Sequence, residues 1–274
     1  MARRDYLRIF RTAPMALVAL TAACGGGGGG YSGQSSPPAA SATLLVATDA
    51  RLGDHLVDGN GRSLYYFAKD FPADGSHAAV SNCNAGCLPI WPIFNPGNVV
   101  VQGVNAADVG RITRSDGSMQ ATYKGFPLYY YAGDTAAGQT NGEGVGGIWY
   151  VVHDPNYSIT LLSKANEAAT YLTDALGRAL YFFDQDTVGT STTVAVSACT
   201  SAECIANWPV FSTDPVTVPS ALAEADFTVF TRTDGTRQMA YKGHPLYYYA
   251  GDSAPGDTNG RAVPDWQTVN PASL

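Results

Sequence analysis

The chain has 274 residues and a formal net charge of −7 at pH 7; 14% of its residues are charged and 11% are aromatic. The acidic balance excludes nucleic acid as an expected partner and disfavours anionic lipid surfaces, because both carry negative charge. The aromatic content supplies material for a core, and the roughly 230 residues after the tether are enough for one large or two small domains.

The first 23 residues predict a lipoprotein signal peptide. A basic segment is followed by an apolar run, residues 14–23, which is too short to span a bilayer as a helix. Small residues and then Cys24 end the run, in a pattern that resembles a bacterial lipobox, whose cysteine is lipidated and becomes the new N-terminus. The alternative is an ordinary secretory peptide cleaved after Ala22 or Ala23.

The same segment resembles a second export signal. Two arginines, Arg3 and Arg4, precede an aromatic residue, a leucine and a base, as in twin-arginine signals that carry folded proteins. A basic segment that happens to contain adjacent arginines is the alternative, and both interpretations stay open.

Residues 24–42 are rich in Gly, Ser and Pro and predict a tether that builds no core. Gly25 follows the cysteine where Asp would favour inner-membrane retention, so the outer membrane is the expected destination in a Gram-negative cell. We therefore expect a lipid-anchored protein of the cell envelope, on its periplasmic or surface face, that contacts the membrane through the anchor only.

The rest of the chain is a tandem duplication. Two segments of the first half recur in the second half, about 116 to 118 positions later. The matching segments are DGNGRSLYYFAKD at 58–70 with DALGRALYFFDQD at 174–186, and PLYYYAGD at both 127–134 and 245–252. The predicted halves are residues 43–157 and 158–274.

Each half contains a smaller repeat. The pattern Leu-Tyr-aromatic-aromatic-x-x-Asp starts at Leu64, Leu128, Leu180 and Leu246. A tryptophan follows each copy, at Trp91, Trp149, Trp208 and Trp266. β-Branched and aromatic runs bounded by Gly-containing turns predict strands, and no long apolar period near 3.6 predicts a helix. We predict an all-β fold in which each half consists of two related β-meander units with long loops, four units in all.

Two local predictions are more specific. A meander is predicted with strands at 111–114, 119–123 and 127–131, and a short helical turn at 221–225. Side chains alternate along a strand, so Tyr129 and Tyr131 point away from the face that carries Leu128 and Tyr130. Both faces are bulky, which predicts that this strand lies between two layers.

The first aromatic residue of the pattern is Tyr in all four copies, whereas Phe and Tyr both occur at the next two positions. A hydroxyl that persists is expected to have a hydrogen-bond partner. That partner lies within the protein or belongs to a ligand that stacks on the rings, and both interpretations stay open. The candidate residues are Tyr65, Asp70, Tyr129, Asp134, Tyr181, Asp186, Tyr247 and Asp252.

The cysteines predict two disulfides. Cys83 lies close to Cys87, and Cys199 to Cys204, at matching places in the two halves of an exported chain. Redox or metal-binding thiolates are the alternative, although the spacing differs from zinc CxxC pairs and no histidine follows as in c-type haem attachment.

Catalytic motifs are not found, and no catalytic residue is predicted. The chain has no G-x-S-x-G, no H-E-x-x-H and no phosphate-binding glycine loop, and none of its four histidines is repeated. The loops after Asp134 and Asp252 carry oxygen ligands and glycines that suit calcium, but the same residues suit tight turns. No cofactor or metal site is predicted, with calcium or a redox metal as the alternatives.

A family resemblance rests on four features: the lipobox, the repeated Y-x-[FWY]-x-x-D pattern, the cysteine pair before Trp-Pro, and PLYYYAGD followed by TNG. Together they resemble bacterial predicted lipoproteins built from the "secreted repeat of unknown function", over nearly all of residues 43–274. The resemblance implies envelope location, repeat architecture and disulfides, but no catalytic residues. We expect a surface or periplasmic binding or scaffolding module of uncharacterised function; an envelope redox or metal-handling protein is the alternative, with an enzyme less favoured.

Overall fold

The computed structural model describes residues 42–164 and 169–274. The predicted signal peptide, Cys24, for which lipidation is predicted, and nearly all of the predicted tether lie outside the described residues. Among the described residues, no helix is long and apolar enough to cross a membrane.

The first half is built of eight strands, which hydrogen-bond as three small sheets. They are β1 (Ala42–Asp49), β2 (Gly53–Asp58), β3 (Tyr65–Phe67), β4 (Val99–Gln102), β5 (Val109–Thr113), β6 (Met119–Tyr123), β7 (Phe126–Pro127) and β8 (Trp149–Val151). The sheet orders are β2-β1-β4, β5-β6-β7 and β3-β8. Every pairing is antiparallel except that of β1 with β4.

Among its described residues, which omit 165–168, the second half repeats this plan with seven strands and one short α-helix. They are β9 (Ile159–Leu162), β10 (Tyr171–Asp174), β11 (Tyr181–Phe183), α1 (Ala202–Asn207), β12 (Phe227–Thr231), β13 (Arg237–Tyr241), β14 (His244–Pro245) and β15 (Trp266–Thr268). The sheets are β9-β10, β12-β13-β14 and β11-β15, all antiparallel. The predicted all-β fold with a tandem repeat is confirmed.

Two-residue turns fix the hairpins that precede the YYY segments. Lys124 and Gly125 join β6 to β7 with φ values of +45° and +86°, and positive φ at both positions is the geometry of a type I′ turn. Gly125 is required for a second reason, because a Cβ there would collide with the backbone carbonyl of Ala73. Lys242 and Gly243 repeat the same turn in the second half.

The two units of each half pair through the backbone of one tyrosine from each unit. Tyr65 and Tyr129 donate backbone N–H groups to each other's carbonyls at 2.8 and 2.9 Å, and Tyr181 and Tyr247 do so at 2.9 Å each. This exchange corrects the predicted strand 127–131. Only Phe126–Pro127 lies in a ladder, because the residues beyond make single bridges, such as those from Tyr129 to Tyr65 and Ile93.

Helical structure is the second correction. The predicted turn at 221–225 is a 3₁₀ turn at Glu224–Asp226, and α1 was not predicted. Six residues are too few to show an apolar period, and α1 begins instead because the Ser201 side chain accepts from the N–H of Cys204 at 3.1 Å.

In the first half, the YYY segment lies between two layers of side chains, as predicted. Leu64 and Leu128 belong to the main apolar core, whereas Tyr65 and Tyr129 on the opposite face belong to a separate cluster. The main core also contains residues of the second half, such as Leu180. Both halves therefore bury side chains in one shared interior.

Candidate functional site

The candidate tyrosines and aspartates form four hydrogen-bonded pairs. In every pair, the tyrosine of one unit donates its hydroxyl to the aspartate of the other unit in the same half. The O···O distances are 2.6 Å for Tyr65–Asp134, 2.6 Å for Tyr129–Asp70, 2.7 Å for Tyr181–Asp252 and 2.8 Å for Tyr247–Asp186. The partner expected for each hydroxyl is therefore in the protein, and the two units of a half are cross-linked reciprocally.

The second carboxylate oxygen of each aspartate fixes a loop through a backbone hydrogen bond. It accepts one backbone N–H at 2.6 to 2.9 Å, and the donors are Asn82 for Asp70, Asn141 for Asp134, Ala198 for Asp186 and Asn259 for Asp252. The loops after Asp134 and Asp252 are thus closed by turn hydrogen bonds, as one of the two interpretations of their composition requires.

Burial shifts the protonation equilibria of these groups. Loss of solvation raises the pKa of Asp70 to about 7 and that of the less buried Asp186 to about 6. Burial, together with the adjacent carboxylate, raises the pKa of all four tyrosines well above the ordinary value of 10. The phenols are therefore neutral, and the carboxyl groups of Asp70 and Asp186 have an increased affinity for a proton.

A buried arginine extends one Tyr–Asp pair of the first half. The hydroxyl of Tyr129 lies 2.5 Å from Ser81 Oγ, which accepts in turn from the Arg114 guanidinium. Arg114 also donates to Gln120 Oε1 at 2.8 Å and to the Cys83 carbonyl. The result is a continuous polar network from Asp70 to Arg114 inside the core.

The second half contains the same network, built from Arg232, Ser197 and Gln238. These residues were not predicted, although the sequence contains a signal for them. RSDGSMQ at 114–120 and RTDGTRQ at 232–238 repeat the arginine, the Asp-Gly turn and the glutamine at the same spacing.

The four tryptophans form two face-to-face pairs. Trp91 and Trp149 have ring centroids 3.8 Å apart and planes within 2°, and both are nearly inaccessible to solvent. Phe67 stacks on Trp149 at 4.1 Å, and Tyr131 covers Trp91 at 4.5 Å. The corresponding stack of the second half runs Phe183, Trp266, Trp208, Tyr249, with the indoles 3.6 Å apart.

Each indole also contacts one hydrogen-bonded tyrosine edge-on. The centroid distances are 5.5 Å for Tyr65–Trp91, 5.2 Å for Tyr129–Trp149, 5.4 Å for Tyr181–Trp208 and 5.0 Å for Tyr247–Trp266. Edge-to-face contacts of this kind add to the stability that burial provides.

The remaining residues of PLYYYAGD have structural partners as well. Tyr130 donates to Asp58 at 2.9 Å, and the Arg62 guanidinium lies 4.1 Å above its ring. The ring of Tyr131 lies over Gly133, where a Cβ would collide with it. The octapeptide of the second half makes the equivalent contacts, with Tyr248 hydrogen-bonded to Asp174 and the ring of Tyr249 over Gly251.

Both predicted cysteine pairs lie at disulfide bonding distance. The sulfur atoms are 1.94 Å apart for Cys83–Cys87 and 2.00 Å apart for Cys199–Cys204. A sulfur in a disulfide is not a thiolate ligand, so the alternative of a thiolate metal site is not supported for these cysteines. Within residues 42–164 and 169–274, no group of three or more His, Cys, Asp or Glu side chains is placed to hold a metal ion.

An open groove of about 500 Å³ lies beside β12 in the second half. β12 is an outer strand of its sheet, and exposed valines line this region: Val194 at 68%, Val196 at 51% and Val229 at 38% exposure. In the first half the position of Val229 is taken by Arg111, which is exposed on β5.

Comparison with known proteins identifies the repeat. The sequence model of the family described as "secreted repeat of unknown function" matches residues 46–95, 110–153 and 228–269. No curated protein and no solved structure gives a significant match to the chain. The matched stretches carry Tyr65, Tyr129 and Tyr247, three of the four hydrogen-bonded tyrosines. The chain belongs to the family of secreted repeats of unknown function.

Proposed function

We propose that the protein is a lipid-anchored envelope module that binds or scaffolds another envelope component. The family description supports export. The observation that carries the binding role is the open valine surface along β12, because the Tyr–Asp pairs and the stacked rings are already occupied by one another. Apolar side chains left exposed along a strand edge are a recurring property of interaction sites.

The backbone of β12 is available for pairing. Val229 lies opposite Met239, whose N–H turns away from β12 and donates to the Phe211 carbonyl at 2.8 Å. In an antiparallel pair such residues direct both backbone groups away from each other, so the N–H and C=O of Val229 face the groove. An extended segment laid along this edge gains main-chain hydrogen bonds and contacts with the valines.

In-cell photo-cross-linking tests the binding role. A photo-reactive residue at position 229 is expected to give an adduct of one defined mass, whereas the same residue at position 111 gives none. Val196→Arg should suppress the adduct, and Val80→Arg, at the equivalent and also exposed position of the first half, should not. Equal labelling at positions 229 and 111, or no labelling at either, contradicts the proposal.

The anchor has its own test. Cys24→Ser removes the residue that would be lipidated, so the variant is expected to leave the membrane fraction while the wild type stays in it. Outer-membrane placement is tested by separating the two membranes on a density gradient. Retention of Cys24→Ser in the membrane fraction contradicts lipid anchoring.

A redox role in the envelope is the second candidate function. It is favoured by one observation, the indole pairs that contact hydrogen-bonded tyrosines in both halves. Metal handling has no comparable support among the described side chains.

A further inference from the structure

We propose that each half contains a site for reversible one-electron oxidation, formed by a Tyr–Asp pair and the adjoining indole pair, which exchanges electrons with an oxidised transition-metal centre of another protein. The proposal gives specific residues to the redox candidate function and rests on it. Tyr129, Asp70, Trp149 and Trp91 form the site in the first half. Tyr247, Asp186, Trp266 and Trp208 form it in the second.

The chemical step is balanced by groups in contact. One electron leaves Tyr129 and reduces the external metal centre by one unit. The phenolic O–H bond breaks, and its proton forms an O–H bond with Asp70 Oδ2, which lies 2.6 Å from the phenol oxygen. The products are a neutral phenoxyl radical, a neutral aspartic acid and the reduced metal centre, and return of one electron reverses every change.

The carboxylate makes oxidation of a buried phenol feasible. A phenol that loses an electron and keeps its proton becomes a cation, and an uncompensated charge inside the core carries a large desolvation penalty. Transfer of the proton to Asp70 leaves both partners neutral. Burial has already raised the pKa of Asp70 to about 7, so this carboxylate accepts a proton more readily than an exposed aspartate does.

The indoles connect the buried phenol to the surface. Tyr131 is partly exposed, and its ring lies 4.5 Å from Trp91. Trp91 lies 3.8 Å from Trp149, which in turn lies 5.2 Å from Tyr129, all between ring centroids. Consecutive rings in van der Waals contact offer a path of short electron-transfer steps through a region from which water is excluded.

The residue choices within the chain favour this function over packing alone. At the second and third aromatic positions of the repeated pattern, Phe and Tyr both occur, so ring volume satisfies the fold there. At the positions of the paired tyrosines and of the indoles, no substitution occurs in the four copies. Tyrosine and tryptophan are the aromatic side chains that are most readily oxidised. Tyrosine also carries a hydroxyl proton that can be transferred.

Flash photolysis of the full-length lipoprotein in detergent tests the site, with photogenerated tris(bipyridine)ruthenium(III) as the oxidant. The wild type is expected to give a tyrosyl radical detected by electron paramagnetic resonance. The Tyr129→Phe/Tyr247→Phe variant, which removes the tyrosine of each site, should lose most of that signal and retain a tryptophan radical. Tyr123→Phe is the matched control, because Tyr123 donates to Asp154 at 2.5 Å but no described indole stacks on it.

Two results overturn the proposal. One is a tyrosyl signal that is undiminished in this double variant, which is checked for folding by its disulfides and circular dichroism. The other needs no variant: tyrosyl formation in the wild type must slow in deuterated solvent, because a proton moves to Asp70, and an unchanged rate is incompatible with the step. Either failure leaves the binding role, tested by cross-linking at position 229, unaffected.

Discussion

The two halves share an interior and differ at their edges. The Tyr–Asp pairs, the arginine networks and the indole stacks recur with hydrogen-bond lengths that agree within a few tenths of an ångström. The outer strand recurs as β5 and β12, but its exposed side chain differs: β5 presents Arg111 at the position where β12 presents Val229. A charged residue on an outer strand discourages pairing with other chains. The duplication therefore preserves the buried contacts, and the halves differ at the edge for which we propose a partner.

Removal of one indole should have the largest effect on stability. Trp149→Ala and Trp266→Ala each empty a stacked, fully buried position, and each is expected to lower the free energy of unfolding by about 3–5 kcal/mol. Urea denaturation measures both. Losses of unfolding free energy that differ by more than about 1 kcal/mol between the two variants would show that the two indole stacks are not energetically equivalent.

The second largest expected effect is a pH dependence of stability that differs between the two halves. The folded pKa of Asp70 is about 7, above its ordinary value of 3.8, so its contribution to stability is complete below pH 4 and declines as the pH rises toward 7. Over that window the loss is roughly 4 kcal/mol, at 1.4 kcal/mol per pKa unit.

Asp70→Asn should flatten this decline, as measured by urea denaturation at several pH values. Asp186→Asn should flatten a smaller one that ends about one pH unit lower, since the pKa of Asp186 is about 6. A wild-type stability that is constant from pH 4 to 7 would contradict the raised pKa values of both carboxyl groups.

Removal of a single tyrosine hydroxyl should lower the free energy of unfolding by less than removal of an indole. Tyr129→Phe and Tyr247→Phe each leave an aspartate oxygen without its donor, and about 1–3 kcal/mol of stability should be lost in each case. Tyr131→Phe serves as the control because no hydrogen bond to its hydroxyl is described, and its effect should be within about 0.5 kcal/mol. Thermal and urea unfolding give the three values; equal losses would mean that ring packing alone matters.

The smallest effect on stability should come from exchanging the edge residues. Arg111→Val and Val229→Arg are surface changes and should each alter the free energy of unfolding by no more than about 0.5 kcal/mol. Their effects on photo-cross-linking should differ when the photo-reactive residue is placed at position 194, which also lines the groove: Val229→Arg should abolish the adduct, and Arg111→Val should leave it unchanged. Identical labelling of both variants would remove the proposed functional difference between the halves.

Sequence patterns predicted the repeat and the faces of the strands but not the partners. The alternation of side chains along a strand predicted that Tyr129 points away from the face that carries Leu128. Its hydroxyl was expected to have a hydrogen-bond partner. That this partner is Asp70, 59 residues away in the other unit, depends on how the two units pair, and no local pattern contains that information. The arginine network was recognisable from the repeated R-x-D-G-x-x-Q spacing, whereas α1 is too short to produce a period.

The reciprocal exchange of tyrosine and aspartate has a consequence for how such chains evolve. A single unit leaves its own tyrosine without an acceptor and its own aspartate without a donor, so the smallest segment that satisfies itself is a pair of units. Growth of the array should then proceed by adding or deleting pairs, and a chain with an odd number of units must borrow the missing one from another molecule. In this chain the duplicated block is therefore the half, which in the first copy contains two matches to the family's shorter repeat.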